Sequence, residues 1–454
     1  MHHFSPIFNK NRHPLNISQT IALIFAGIIL IGTVLLCLPV SSRDGEPCGF
    51  LAALFTATSA TCVTGLVLAD TWTQWSGFGQ AVIFCLIEIG GLGFMSIASF
   101  FIFALRRKIN MSQRIMIAQT MGAEDLSAAV RIQKRMLLVC LSTEGIGAVL
   151  LTLCFLPAYG FRHALRLGIF HSVSAFCNAG FDILGFESPG SSLILFGKNA
   201  PILLILSALI IIGGIGFLVW DEIYRIRNPR KWSVYTKLVL IAAATLLLGG
   251  MLLFCLLEWN NPATLGPMTF WQKLTAAFFQ SSTSRTAGFA AVDQGLLTDG
   301  GKAVTMFLML IGGSSGSTAG GLKTVTFLVL VLFLYARLRG KNTVHVFHRT
   351  IPQKQVLDAM TLFGVMIALA FFGACVICST SPVSFTNGLY ESVSALATVG
   401  LTTGITPSLS IPAKLLMILY MYFGRVGILT ISLGFLQKKE ADRYQYAQTT
   451  LLIG

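Results

Sequence analysis

Tyr390-Glu391-Ser392-Val393-Ser394-Ala395-Leu396-Ala397-Thr398-Val399-Gly400-Leu401 is one of four copies of a spaced pattern. In each copy an aromatic residue stands ten positions before a glycine, a serine stands six before it, and a large apolar residue follows. Phe55, Ser59, Gly65 and Leu66 make the first copy. Phe170, Ser174, Gly180 and Phe181 make the second, and Phe278, Ser282, Gly288 and Phe289 the third. Successive glycines lie 115, 108 and 112 residues apart, so the chain divides into four units of similar length, 1–115, 116–230, 231–345 and 346–454. A fixed period of this kind governs the reading of everything else.

Composition places the units in a bilayer. Apolar residues make up 54% of the chain and charged residues 11%, far below the roughly 25% charged typical of soluble domains. Apolar runs at 17–38, 202–220, 238–257 and 357–378 approach the roughly 20 residues that cross a hydrocarbon core. The first run has no clear small-residue cleavage pattern after it, so a removable signal peptide is not expected. The net charge of +14 does not mark a nucleic-acid binder, because the basic residues are grouped by topology. They cluster at Lys10 and Arg12, from Arg106 to Arg135, from Arg225 to Lys237, from Arg337 to Lys354, and at Lys438, Lys439 and Arg443. The positive-inside rule puts these segments and both termini in the cytoplasm, and the glycine loops outside. Membrane lipid is the expected surrounding, and no nucleic acid is expected as a partner.

Each unit reads as helix, short re-entrant segment, helix. The first helices are expected near 17–38, 132–156, 235–258 and 355–379, the short segments near 50–60, 164–175, 270–283 and 384–395, and the second helices near 78–105, 200–226, 302–336 and 412–437. The short segments cannot span, but they suffice for half-helices. Two full spans per unit return the chain to the cytoplasm, so the four units are parallel. The expected fold is all-α and integral to the membrane, with four parallel M1-P-M2, potassium-channel-like repeats around one central pore. Non-helical backbone at membrane depth survives only inside protein or along a water-filled cavity, and one shared pore serves all four loops at once.

The loops read as an ion filter. A glycine permits positive φ or close backbone approach, so carbonyls turn inward and replace water around a cation. The candidate residues are Val63, Thr64 and Gly65; Asn178, Ala179 and Gly180; Thr286, Ala287 and Gly288; and Thr398, Val399 and Gly400, with K+ at the glycines. Thr398-Val399-Gly400 echoes the start of the potassium-channel filter TVGYG; the other three loops do not. Half-helices aiming their partially negative C-termini at the axis favour a cation. No acidic side chain stands at the glycine position, which argues against divalent ions. The four serines are expected to bond backbone rather than ions. Arg285, whose counterparts Cys62, Cys177 and Ala397 are small, is expected to brace the loop from behind, neutralised by Glu391 or Asp182.

A second repeated feature, G-x-x-G, marks the second helices at Gly90/Gly93, Gly213/Gly216, Gly313/Gly316 and Gly424/Gly427. Repeat three departs from the rest. Gly312-Gly313-Ser314-Ser315-Gly316-Ser317-Thr318-Ala319-Gly320-Gly321 is ten small residues in a spanning segment, and glycine costs about 1 kcal/mol against alanine in a helix. The helix is expected to break there and to form a gate in the pore. Arg425 aligns with Gly91, Gly214 and Ser314; it is expected at the level of this segment, donating to its carbonyls or pairing with Glu88 or Glu144.

At these residues the chain resembles the membrane subunits of Ktr potassium uptake systems, within the Trk/Ktr/HKT superfamily of potassium transporters. The marks are Ala57-Thr58-Ser59-Ala60 through Thr64-Gly65-Leu66, Phe278 through Arg285-Thr286-Ala287-Gly288-Phe289, the 312–321 segment and Arg425. The Trk branch is close, but Arg285-Thr286-Ala287-Gly288 looks more like Ktr. The resemblance implies potassium as the transported ion, with glycine in all four filters matching the potassium-selective pattern. It also implies Na+ as an activator, a homodimer, and a cytosolic nucleotide-binding ring of the RCK type (KtrA-like) as regulator.

Other classes fare worse. A secondary transporter for an organic solute would need groups to bind it, and the centre of the repeats offers few. An intramembrane enzyme would need a Ser/His, His-Glu-x-x-His or paired-aspartate arrangement, and none appears at membrane depth. Cys375 and Cys378 form a CxxC inside an apolar helix, and buried cysteine usually acts as a small hydrophobe.

Overall fold

The computed structural model describes residues 17–93 and 126–427. The basic clusters at 106–114 and 438–443, both termini, and the far ends expected for the first and fourth second helices lie outside the described residues.

Repeat one contains α1 (Ile17–Leu36), the half-helix α2 (Phe50–Thr61), a turn α3 (Thr71–Gln74) and α4 (Gly77–Leu92). Repeat two begins with the 51-residue α5 (Leu126–Phe176), which kinks at Gly160 after Pro157. Its part beyond the kink is the second half-helix. Then come α6 (Ala200–Ile215) and α7 (Phe217–Arg225), bent by 90° to each other. Repeat three contains α8 (Val234–Glu258), the half-helix α9 (Phe270–Thr283), α10 (Asp299–Leu310) and α11 (Thr324–Leu338). A β-hairpin, Val344–Val346 with Arg349–Ile351, joins it to repeat four. Repeat four contains α12 (Gln353–Thr380), the half-helix α13 (Phe385–Leu396) and α14 (Ile411–Val426).

By length and apolarity four helices among the described residues can cross a membrane, five if the bent pair counts as one. The four long ones are the first helices of the repeats. Among the described residues the second helices are shorter, and not only in repeat three: α4, α6, α10 and α14 end after 16, 16, 12 and 16 residues. Gly93, Gly216, Gly316 and Gly427 have φ of 79°, 97°, 70° and 93°, which a right-handed helix does not admit. In repeats one, two and four the second glycine of the G-x-x-G is the helix stop, directly after Leu92, Ile215 and Val426; in repeat three α10 already ends at Leu310, before the pair.

The first glycine of the pair is a packing joint. A Cβ built on Gly90, Gly213 or Gly424 would strike the carbonyl oxygen of Thr61, Phe176 or Leu396, each four residues before a loop glycine. The second helix thus presses on the C-terminal end of its own half-helix. It also packs against the next repeat: α4 meets α5, α6 meets α9, α10 meets α13, and α14 returns to α2. That cycle closes the four repeats into a ring with the half-helices inside. Phe55, Phe279 and Tyr390 are fully buried in it, while Leu30, Leu138, Leu252 and Phe372 are exposed on its outer face, where lipid replaces water as the solvent.

Candidate functional site

In repeats one, two and four the ends of the half-helices are bound in one way. In repeat one, Cys62 N donates to Thr58 O (2.8 Å), Val63 N to Ala60 O (3.1 Å) and Thr64 N to Ser59 O (2.8 Å). In repeat two, Cys177 N donates to Val173 O, Asn178 N to Ala175 O and Ala179 N to Ser174 O; in repeat four, Ala397, Thr398 and Val399 do likewise to Val393, Ala395 and Ser394. The loop amides are thereby drawn back into the half-helix. Ser59 and Ser394 accept from the amides of Gly65 and Gly400 at 3.1 Å, and Ser174 donates to Phe181 O. Repeat three is shifted by one residue: Ser282 bonds within its helix, and Thr283 donates to Phe289 O at 2.8 Å.

The loop backbone alternates in hand. Val63, Asn178, Thr286 and Thr398 have φ of 56°, 59°, 70° and 52°. Gly65, Gly180, Gly288 and Gly400 follow two residues later at 91°, 69°, 81° and 96°. Left-handed φ in β-branched Val63, Thr286 and Thr398 is strain, which folded chains retain where surrounding structure enforces it and function uses it. The sequence signals only the glycines; nothing in Val63 or Asn178 announces this conformation.

The four glycines meet. A methyl built on Gly65 would stand 2.5 Å from the carbonyl oxygen of Ala179, on Gly180 2.7 Å from that of Ala287, and on Gly288 2.5 Å from that of Val399. On Gly400 it would collide with the carbonyl oxygen of Thr64. Each glycine thus faces the oxygen of the next loop, and the fourth faces the first. Outside the ring a vestibule of about 310 Å³ opens, with Asp70, Asp182 and Asp293 on its wall.

Beneath the ring, residues 311–323 fold back on themselves. Gly312 N donates to Leu322 O (2.8 Å), and Thr324 N to Gly313 O (3.0 Å). The segment is tied to the broken end of α6: Ser314 N donates to Gly214 O (3.0 Å), Thr318 N to Gly213 O (3.3 Å), and Phe217 N to Gly316 O (2.9 Å). Thr318 and Ala319 are fully buried, Ser317 and Gly321 are partly buried, and Ser315 is exposed at the tip. Gly320 lies directly against the hydroxyl of Thr398, so the segment reaches up to loop four.

Arg425 donates to the carbonyls of Thr318 and Gly90, and to that of Gly91 at 3.1 Å. Of the two expectations for it, the carbonyl contacts are present, while the pairing with Glu88 or Glu144 is not. Those carboxylates instead surround Cys177, whose thiol lies 3.7 Å from Glu88 and 3.8 Å from Glu144. This cluster was not foreseen, because its members come from two helices and one loop.

Arg285 has no acidic partner either. It donates to Thr324 Oγ1 at 3.3 Å, and that hydroxyl donates to Gly312 O. Arg285 therefore leans on the base of the folded segment. Glu391 lies elsewhere, wholly buried, and accepts from Thr402, Thr403 and Thr406 behind the fourth loop. Lys323 donates to Ala319 O at 2.8 Å. Among the described residues the salt bridge is Arg135–Asp221; Arg285, Lys323 and Arg425 donate instead to neutral oxygens.

A ring of backbone oxygens inside a helical cage, fed by an acid-lined vestibule, is the architecture of a membrane protein that moves cations. A family of cation transport proteins, TrkH, matches residues 17–446, and the chain belongs to it. The potassium/sodium uptake protein NtpJ of Enterococcus hirae is 42% identical over 98% of each chain. The Ktr system potassium uptake protein B of Bacillus subtilis is 37% identical over 96% of each. The crystal structure of the potassium transporter TrkH from Vibrio parahaemolyticus superposes with a TM-score of 0.72, covering 94% of this chain and 86% of that one at 19% identity, which establishes a shared fold.

Proposed function

We propose that the chain is the membrane subunit of a potassium uptake system of the cell membrane. Its four loops, Val63–Gly65, Asn178–Gly180, Thr286–Gly288 and Thr398–Gly400, act as the filter, and the 312–321 segment with Arg425 acts as the gate. The carrying observation is the closed cycle of contacts in which each loop glycine faces the preceding-residue carbonyl of the next loop. Uncharged oxygens at the C-terminal ends of four half-helices suit a monovalent cation stripped of water. The named activities of the relatives at 42% and 37% identity support potassium as the substrate. The name of the first also gives sodium as an ion taken up, and a role for sodium as activator is part of this proposal.

The folded segment is held by hydrogen bonds to repeats two and four, not by an apolar core, so it is suited to move without dismantling the cage. The basic stretch Arg337–Lys354, carrying the hairpin, is the surface we assign to a cytosolic RCK-type ring. A homodimer, cytoplasmic termini and four repeats bounded at 115, 230 and 345 complete the reading.

Cation flux into liposomes bearing the purified chain tests it. Potassium and rubidium are expected to enter faster than sodium and lithium, with organic solutes neither entering nor competing. Equal flux of all four cations, or competition by an organic solute, would overturn the proposal.

A further inference from the structure

Where the half-helix of repeat two begins, three arginines share one patch. Arg43 lies over the Trp72 ring with its Cζ 4.5 Å from the ring centroid, and Arg166 lies over the same ring at 5.0 Å. Arg162 stands four residues before Arg166, on the same face of α5. All three are exposed. Arg166 donates to the neutral Gln80 Oε1 at 2.6 Å, and among the described residues none of the three is ion-paired. Asp70, next to this tryptophan turn, is already occupied, accepting from the amides of Trp72, Thr73 and Gly190. Asp44, Glu46 and Glu187 are exposed and make no ion pair with the patch. Like charges one turn apart repel, and an indole face attracts a guanidinium without neutralising it.

The surroundings point to what supplies the missing negative charge. Phe161, Leu165 and Ile169 recur every fourth residue beside Arg162 and Arg166, and they are 66%, 39% and 42% exposed. They form an apolar stripe that runs from the patch along the half-helix. Arg166 also reaches the start of α4, its Nη2 4.0 Å from a Cβ built on Gly77, and the next residue, Phe78, is exposed too. Cationic groups at the head of a bare apolar stripe, with a tryptophan at the boundary, match the division of a phospholipid into headgroup and chain. A soluble anion would use only the charged end.

We propose that Arg43, Arg162 and Arg166 form a headgroup site for an anionic phospholipid, with an acyl chain along Phe161, Leu165 and Ile169. With the glycine loops on the outer side, this lipid belongs to the outer leaflet. A guanidinium offers phosphate oxygens two parallel donors, and the phosphodiester charge stands where a carboxylate is lacking. Arg43 comes from repeat one, and Arg162 and Arg166 from repeat two. The headgroup therefore bridges two repeats, at the end of the half-helix opposite its loop.

The test uses the full chain purified in a neutral detergent and titrated with phosphatidylglycerol, with phosphatidylcholine in a parallel series, while the unfolding midpoint is followed. Phosphatidylglycerol is expected to raise the midpoint saturably, and phosphatidylcholine is not. Arg162→Gln together with Arg166→Gln is expected to raise the half-saturating lipid concentration about tenfold. Arg43→Gln alters an exposed loop residue and is expected to raise it severalfold, so the site stays testable if the double variant does not fold. Lys414→Gln removes a basic residue of repeat four and is expected to keep the wild-type curve. A wild-type response in Arg43→Gln and in any folded double variant would overturn the site, as would equal stabilisation by phosphatidylcholine. Inorganic phosphate that reproduces the gain without lipid would overturn the lipid as occupant. None of these outcomes reads ion flux, so the potassium reading stands or falls separately.

Discussion

The α-carbon of Gly400 abuts the carbonyl oxygen of Thr64, so the last glycine loop closes on the first. No side chain fits at this junction, and the φ of 96° disfavours one further. A left-handed backbone costs an L-residue about 1–2 kcal/mol, and the struck oxygen cannot retreat without widening the ring. Gly400→Ala is expected to reduce the preference for potassium over sodium by about tenfold or more, a shift of at least 1.4 kcal/mol. Rubidium uptake into liposomes with competing sodium measures it; unaltered competition would separate Gly400 from selectivity.

Arg425 ties repeat four to the folded segment through Thr318 and to repeat one through Gly90 and Gly91. Hydrogen bonds from a charged donor contribute about 1.5–3 kcal/mol each, so losing the Thr318 bond alone shifts a closed-to-open balance by about tenfold. Arg425→Ala is expected to raise potassium flux by that factor with the fold retained. Slower flux from a well-folded variant would assign Arg425 to structure alone.

Shortening the segment itself is the complementary experiment. Removal of several residues between Gly313 and Ala319 abolishes the contacts of Ser314 and Thr318 with Gly214 and Gly213. Flux is expected to rise and to lose its regulation. If the deletion variant still shuts, the barrier lies elsewhere on the path.

Glu391 accepts from the Thr402 hydroxyl at 2.5 Å, the Thr403 amide at 3.0 Å and the Thr406 hydroxyl at 2.9 Å. Glu391→Gln turns one acceptor oxygen into a donor. The hydroxyls can reverse their hydrogens, but the donors crowded on the carboxylate then outnumber the remaining oxygen's capacity. An unsatisfied buried group costs about 1–3 kcal/mol, so a lower unfolding midpoint is expected. A midpoint equal to wild type would mean that the second oxygen is dispensable.

Gly90 marks how tightly a second helix seats on its half-helix. Gly90→Ala drives a methyl into the carbonyl of Thr61, and overpacking of this kind costs about 1–3 kcal/mol. Gly249 stands in α8 with nothing within 4 Å of a built Cβ, so Gly249→Ala is the control and is expected to be neutral or stabilising. Similar midpoints for the two variants would remove the packing role assigned to the first glycine of G-x-x-G.

Much of the architecture was legible because it is written locally. The half-helices expected near 50–60, 270–283 and 384–395 are Phe50–Thr61, Phe270–Thr283 and Phe385–Leu396. Their limits follow from short apolar runs ending in small residues before a glycine. The break in repeat three was legible from ten consecutive small residues. The breaks in the other second helices were not, since one glycine in an apolar helix is usually tolerated and only its φ reveals the stop. The partner expected for Arg285 was wrong for a related reason. Charge complementarity pointed to Glu391 or Asp182, but three threonines had already enclosed Glu391, and Thr324 was the group within reach.

By itself the amino-acid order determined the membrane setting, the fourfold repetition and the glycine at the tip of each loop. Those depend on hydropathy, period and backbone freedom, which are properties of neighbours along the chain. Only the tertiary structure decided that Gly400 returns to Thr64, that Asn178, Thr286 and Thr398 adopt one left-handed conformation, and that Arg425 reaches carbonyls of two other repeats. These contacts join residues hundreds of positions apart. They exist because half-helices too short to span must bury their ends together, and no pattern read along one stretch of chain contains that requirement.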